Sequence, residues 1–401
     1  MKPLARQFRD FFVSLELTVV LLALGIILIF WATLAQTDLG VWGVQQKFFH
    51  SFFVLQRFGG SSFPFPVFPG GYFIGGLLFL NLLAAHVYRF KYTWRKTGIW
   101  LAHGGIALLL VGELLSGLWQ QESQMTFTEG QTKNYAESFR DNELAIVDTT
   151  DPKVDKVVAI PEALLAKGDP IQSPKLPFRV IPKFYTPNSV TVAPALAQGQ
   201  ASSMADQGPP FLRQFVPLPQ PVTYKENEKN LPAAYVELDG PEGPIGTWLL
   251  AEELVADPSA QPIQMPPQHF DFGGRSWKIS LRPTRHYQPY ELTLLKVTND
   301  VYPGTNPPIP KNFASRVRIR SDDGRDNREV EIYMNNPLRY RGLTYYQYQM
   351  DKASNLSVLE VVSNPSWRLP YVACILVALG LVIQFGLHLF GFAGRRAAAR
   401  P

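Results

Sequence analysis

The chain has 401 residues, a formal net charge of +5, 46% hydrophobic residues and a mean hydropathy of -0.03. Its basic residues gather beside apolar segments rather than on a face interleaved with aromatics, which argues against nucleic acid as a partner. The single cysteine, Cys374, excludes an intramolecular disulfide and a Cys-x-x-Cys redox pair, so the chain has no thiol partner of its own.

The average conceals two populations. Four windows, Leu17 to Leu34, Tyr72 to Tyr88, Ile99 to Trp119 and Leu369 to Phe392, are long and apolar enough to cross roughly 30 Å of hydrocarbon. Lys2, Arg6 and Arg9 precede the first, as in a signal peptide, but the window is longer than an h-region and Trp31 to Gln36 lacks a small-residue cleavage pattern. It therefore reads as an uncleaved transmembrane helix. Lys47 to Phe53 mixes aromatic and polar residues and predicts a short amphipathic helix along the interface. Pro64, Pro66, Pro69, Gly70 and Gly71 then turn the chain back into the membrane. The basic turn Arg89-Phe90-Lys91-Tyr92-Thr93-Trp94-Arg95-Lys96 joins the second and third spans, and Arg395, Arg396 and Arg400 follow the fourth. With four spans all three basic clusters share one side, which predicts cytoplasmic termini and an external domain. Trp31, Trp42, Trp94, Trp100, Trp119 and Trp367 fall near the window ends, as interfacial aromatics should.

After Trp119 the periodicity becomes two. Trp277 to Leu281, Val317 to Ile319, Val330 to Met334 and the run beginning at Leu356 alternate as half-buried antiparallel strands do. Tyr235 to Leu238 and Ile245 to Leu250 read as a hairpin, with further turn signals at Gly273-Gly274 and Asp323-Gly324. The predicted fold is an α-helical membrane protein with four transmembrane helices, about 15–35, 72–89, 99–119 and 368–393, and a large β-rich extracytoplasmic domain over residues 120–367. That domain is expected to be a sandwich or open barrel, and residues 394–401 a cytoplasmic tail. Thr186 to Pro232, rich in Pro, Gln, Ala and Ser, is expected to be a long irregular excursion or a partly disordered loop.

Ionisable groups inside a bilayer are costly, so His86, His103, Glu113 and His388 each need a reason. A neutral histidine can simply bridge helices. Three of them towards the cytoplasmic ends of their helices, beside Arg89 and its basic neighbours, also suit haem, with imidazole as axial ligand and cations for the propionates. His86 and His103 lie on helices joined by a short hairpin, which pack at about 8–10 Å, too close to clasp one iron from opposite faces. A second ligand is then expected from His388 or another polypeptide. Glu113 reads as snorkelling, as a hydrogen bond to a neighbour, or as part of a proton or quinone path. Asn81 reads as a polar contact between helices, and His269 and His286 as surface or structural groups. Tyr340 to Tyr348 reads as a strand with a packed aromatic face rather than a binding patch.

Asn335-Asn336-Pro337-Leu338-Arg339-Tyr340-Arg341-Gly342, then Tyr345-Tyr346-Gln347 and a final apolar helix, resembles the C-terminal signature of the ResB (CcsB) family of cytochrome c biogenesis proteins. Asn81 to Arg89, the glycine-rich start of the third span and Met125-Thr126-Phe127-Thr128-Glu129-Gly130 are also similar. Asn364-Pro365-Ser366 departs from the Asp-Pro-Gly of many members, and Thr186 to Pro232 has no counterpart.

The resemblance implies a subunit of a holocytochrome c synthase complex of System II, non-catalytic alone. It would work with a ResC (CcsA) partner, hold haem b transiently with that partner, and present apocytochrome c outside the membrane. Thiol-reducing proteins and membrane lipid would be further partners. His86 occupies the place of the family's transmembrane haem ligand, which assigns it as the iron's axial ligand; His103, His388 and Arg89 are the further candidate cofactor contacts. Two other classes fit the same residues: a b-type haem electron carrier interacting with quinone, and a non-catalytic membrane scaffold for another complex.

Overall fold

The computed structural model describes residues 4–57, 63–89, 91–197, 199, 202–225, 228–257, 259, 261–304, 310–351 and 354–398. Lys2, Phe90 and Arg400 of the basic clusters lie outside them, as do five positions in the 186–232 stretch. The helices are α1 (Leu4–Phe12), α2 (Leu15–Val44), α3 (Gly71–Tyr88), α4 (Thr97–Trp119), the single turn α5 (Glu162–Leu165) and α6 (Leu369–Ala398). Of these, α2, α3, α4 and α6 are long and apolar enough to cross a membrane.

The first apolar window is preceded by a separate helix. α1 ends at Phe12 and Ser14 caps α2, its hydroxyl accepting from the Leu17 amide at 3.1 Å. The carbonyls left over at this break are satisfied from α3. The Asn81 amide donates to Phe12 O at 2.8 Å and Ser14 O at 3.0 Å, while its oxygen accepts from Thr18 Oγ1 at 2.6 Å. Asn81 is thus the helix–helix contact its position predicts, and it is buried.

The membrane helices form two antiparallel pairs. In one, α2 packs on α3 through Leu17, Leu21, Leu28 and Ile74. In the other, Gly98, Gly105 and Gly112 of α4, seven residues apart, admit α6 so closely that a Cβ on Gly98 would stand 2.5 Å from Gly380 O. Small residues at such spacing let two backbones approach where lipid offers no hydrophobic drive. The pairs meet at the α3–α4 hairpin. The amphipathic helix expected over Lys47 to Phe53 is only a π-helical turn, Gln45–Phe49, continuing α2. Phe53–Gln56 is instead a strand paired with Phe65–Pro69, an isolated two-stranded ribbon in which prolines cost little because their missing N–H groups face outward.

Beyond α4 the chain builds a nearly barrel-shaped sheet. Its antiparallel neighbours run in the order Asn327–Tyr333, Pro310–Ser321, Arg275–Val301, Thr132–Asp148, Gln121–Thr128, Leu356–Ser363, Leu343–Asp351 and Leu338–Tyr340. The first and last strands approach through the turn at Asn335, which adopts φ 63°, so the sheet almost closes. Alternation aims Leu292, Leu294, Val317, Ile319, Ile332 and Leu359 inward, all fully buried. The aromatic run behaves as a strand: Tyr345 points into this core, where its hydroxyl meets that of Tyr290 at 2.7 Å. Two-residue turns at Gly273-Gly274 and Arg341-Gly342, all four at positive φ, close hairpins as left-handed residues allow. A three-stranded sheet, Arg179–Thr186, Ala233–Gly240 and Gly243–Ala251, covers a second core around Trp248 and Trp277.

The 186–232 stretch is more ordered than its composition suggests. Ser189–Val192 pairs with Val216–Pro219, and Leu212 and Phe215 are buried against Tyr235 and Leu249. Proline-rich sequence forms edge ribbons without periodic alternation, which hides them from pattern reading.

Replacing Asn81 by Leu leaves the Phe12 and Ser14 carbonyls without their shared donor in a site that excludes water. Loss of about 1–2 kcal/mol is expected, read as a lower melting temperature in detergent or nanodiscs; an unchanged melt would show that the α1–α2 joint carries no stability.

Candidate functional site

The α3–α4 turn is short, with a 3-10 turn at Trp94–Lys96 leading into α4, so residues near its base face each other. His86, two residues before the end of α3, and His103, in the second turn of α4, meet there. His86 Nε2 and His103 Nδ1 are 3.1 Å apart, with rings nearly perpendicular at 86°. His86 Nδ1 lies 2.8 Å from Leu82 O, the carbonyl four residues back. A carbonyl only accepts, so this contact puts the proton on Nδ1 and leaves Nε2 as the lone-pair nitrogen of a neutral His86 ring. His103 Nδ1–H then donates to it. Trp100 packs edge-on to His86 at 4.8 Å between ring centres. The Trp100 indole N–H is buried and finds no acceptor among the described residues.

The structure brings these two candidates together and leaves the third apart. Gly380 of α6 abuts Ala102, and α6 runs antiparallel to α4. His388, eight residues beyond Gly380, therefore lies about 12 Å or more below the level of His103. It is exposed and contacts Gln384 within its own helix, Nε2 to Nε2 at 2.9 Å. The shared depth expected for the three histidines holds for two. Arg89 caps α3 at the basic end, exposed, one turn from His86.

A second feature lies at the opposite end of the helices. A cleft of about 830 Å³ opens between the ends of α2 and α4 and the barrel, lined by His50, Glu113, Arg140, His286 and Glu360 among others. Glu113 thus faces a polar space rather than bare lipid. His50 stacks on Tyr72 at 5.6 Å, and both rings sit over the notch left by Gly117. Two other joints border the cleft. Trp42 is stacked with Tyr224 at 5.0 Å and lies under the Arg140 guanidinium at 4.5 Å. Asn364 donates to Ser116 Oγ at 3.1 Å and Gln120 Oε1 at 2.9 Å, tying the start of α6 to the end of α4. Asn364 and Ser366, where the sequence departs from Asp-Pro-Gly, are therefore parts of this joint. His286, read from sequence as a surface or structural group, lines the cleft with neighbours that arrive from distant strands; His269 is exposed on the strand Gln268–Phe272.

The ResB-like family matches residues 274–356. The match covers 83 of the 401 residues. That segment holds the barrel strands from Arg275 to Asp351, including the Asn335 to Gly342 signature. It does not reach the membrane helices, so His86 and His103 rest on geometry alone. Among curated proteins, none matches the chain.

Burial pushes the Glu360 carboxyl above the usual carboxylate range, and the neighbouring Glu122 charge adds to it. The folded chain then binds this proton more tightly than the unfolded chain does. Stability falls as pH rises from the ordinary carboxylate range through the raised value, and the full penalty stands above it. Glu360→Gln should raise the melting temperature at about pH 8 and leave it nearly unchanged at about pH 4; equal shifts at both would contradict a buried charge.

Proposed function

We propose that this ResB-like chain is a subunit of a cytochrome c maturation complex of System II, in which His86 supplies an axial imidazole to haem b held jointly with a ResC-type partner. The barrel domain, on the external side of the bacterial inner membrane, presents reduced apocytochrome c. Bound haem is the group such a complex joins to the Cys-x-x-Cys-His motif of the apocytochrome; this chain holds and orients it.

The observation that carries the reading is the fixed tautomer of His86. With Nδ1 tied to Leu82 O, the nitrogen left with a lone pair is Nε2, and a hydrogen bond from Nδ1–H to a carbonyl is the usual way a metal-binding imidazole is oriented. The surroundings fit. The buried Trp100 N–H lacks an acceptor, which a propionate oxygen would supply, and exposed Arg89, Lys91 and Arg95 stand at the same end. His103 covers the His86 lone pair, so it and an iron compete for one nitrogen.

The pair does not make a bis-imidazole site as it stands. Metal–imidazole bonds are about 2.0 Å, so two nitrogens across one metal stand about 4 Å apart, whereas these are 3.1 Å apart and hydrogen-bonded. With His388 well below, a second ligand would have to come from another polypeptide. This geometry also disfavours the electron-carrier reading, which needs the chain to hold haem by itself.

The test is co-purification with a ResC-type partner followed by absorption spectra of the reduced complex. His86→Ala is expected to lower haem content at least about tenfold, the loss of a metal–ligand bond being worth more than 1.4 kcal/mol, and His388→Ala to leave it unchanged. Normal haem in the His86→Ala complex would overturn the assignment.

A further inference from the structure

The point where the barrel meets α6 holds a cluster that the haem reading does not use. Arg339, from the strand Leu338–Tyr340, has its guanidinium carbon 4.3 Å from the centre of the Trp367 ring, and Arg368 has its own at 5.0 Å from the same ring. Both arginines are exposed. Neither has a carboxylate partner among the described residues, although most arginines of the β domain, Arg282, Arg285 and Arg318 among them, are ion-paired. A guanidinium stacked on an indole is held by its face. Its edge N–H groups match two oxygens of a phosphate.

The level of this cluster in the fold is informative. Trp367 and Arg368 immediately precede α6, which starts at Leu369. Directly below, Tyr371, Ile375, Leu379 and Val382 form one stripe at helical spacing, 58%, 59%, 50% and 70% exposed. From Tyr371 to Val382 the rise is about 16 Å, close to the roughly 15 Å of hydrocarbon in one leaflet. Two unpaired cations with an aromatic platform therefore sit at headgroup height, above an apolar track one leaflet long. Free phosphate would use the cations and leave the track bare, whereas a phospholipid uses both.

We propose that Arg339 and Arg368, stacked on Trp367, bind the phosphate of an anionic phospholipid in the leaflet nearest the barrel, with its acyl chains along Tyr371 to Val382. The lipid supplies the counter-charge that the chain lacks here, and fixes the barrel against the membrane surface beside the Asn364 joint.

Native mass spectrometry of the full chain, released from nanodiscs of equal phosphatidylglycerol and phosphatidylcholine, tests this. The wild-type chain is expected to retain phosphatidylglycerol over phosphatidylcholine by at least about tenfold, two charge-assisted contacts being worth more than 1.4 kcal/mol. Arg339→Gln and Arg368→Gln should each reduce that preference several-fold, and the double variant should abolish it. Arg325→Gln, an exposed arginine on another turn, should preserve it. Inorganic phosphate at millimolar concentration should not displace the lipid. Equal retention of both lipids by the wild-type chain, an unchanged preference in the single variants, or displacement by inorganic phosphate would each overturn the proposal. Because the single variants change only exposed side chains, the result stands even if the double variant folds poorly.

Discussion

An imidazole placed among apolar helices, out of reach of water, must find partners for both ring nitrogens, and most of the arrangement of the membrane helices turns on how His86 does so. One nitrogen uses the carbonyl of its own helix at Leu82, and the other uses His103 across the hairpin. That contact stands where two otherwise separate helix pairs meet. The α4–α6 pair is locked by glycines that allow no side chain between the backbones, and the α2–α3 pair by Asn81 and an apolar seam.

The same logic explains the other end. The barrel is not merely tethered by α6; it is pinned by Asn364 to α4 and by Arg140 and Tyr224 to Trp42 at the end of α2. At Gly40, where α2 bends with φ 70°, a Cβ would stand 2.7 Å from Tyr224 O, so the glycine lets the loop approach as well as permitting the bend. The polar cleft with Glu113, His50 and His286 exists because these contacts hold the two parts apart at its rim and together at its sides.

Much of this was legible in the sequence, for reasons that differ by element. The membrane spans follow from unbroken apolar length, and the barrel strands near Trp277, Val317 and Val330 follow from alternation, because one face of each is buried. Asn81 was readable as a helix contact since a lone amide in lipid has few alternatives. What stayed hidden depends on partners distant in sequence. The meeting of His86 with His103 needs the rotation of both helices about their axes, which spacing from the turn does not give. The separation of His388 needs the register of α4 on α6, set by Gly380 against Ala102. The ribbons at Phe53–Gln56 and Ser189–Val192 contain or face prolines and lack a repeating apolar face, so their signals resemble loops.

The account stands or falls on the proton positions of two rings. Solid-state NMR of the chain in lipid, with nitrogen-15 histidine and each membrane histidine assigned by substitution, reads them directly. The structure predicts that His86 carries its proton on Nδ1, that its Nε2 is unprotonated, and that a coupling links this Nε2 to a protonated Nδ1 of His103. A His86 ring protonated on Nε2, with no coupling to His103, would contradict it.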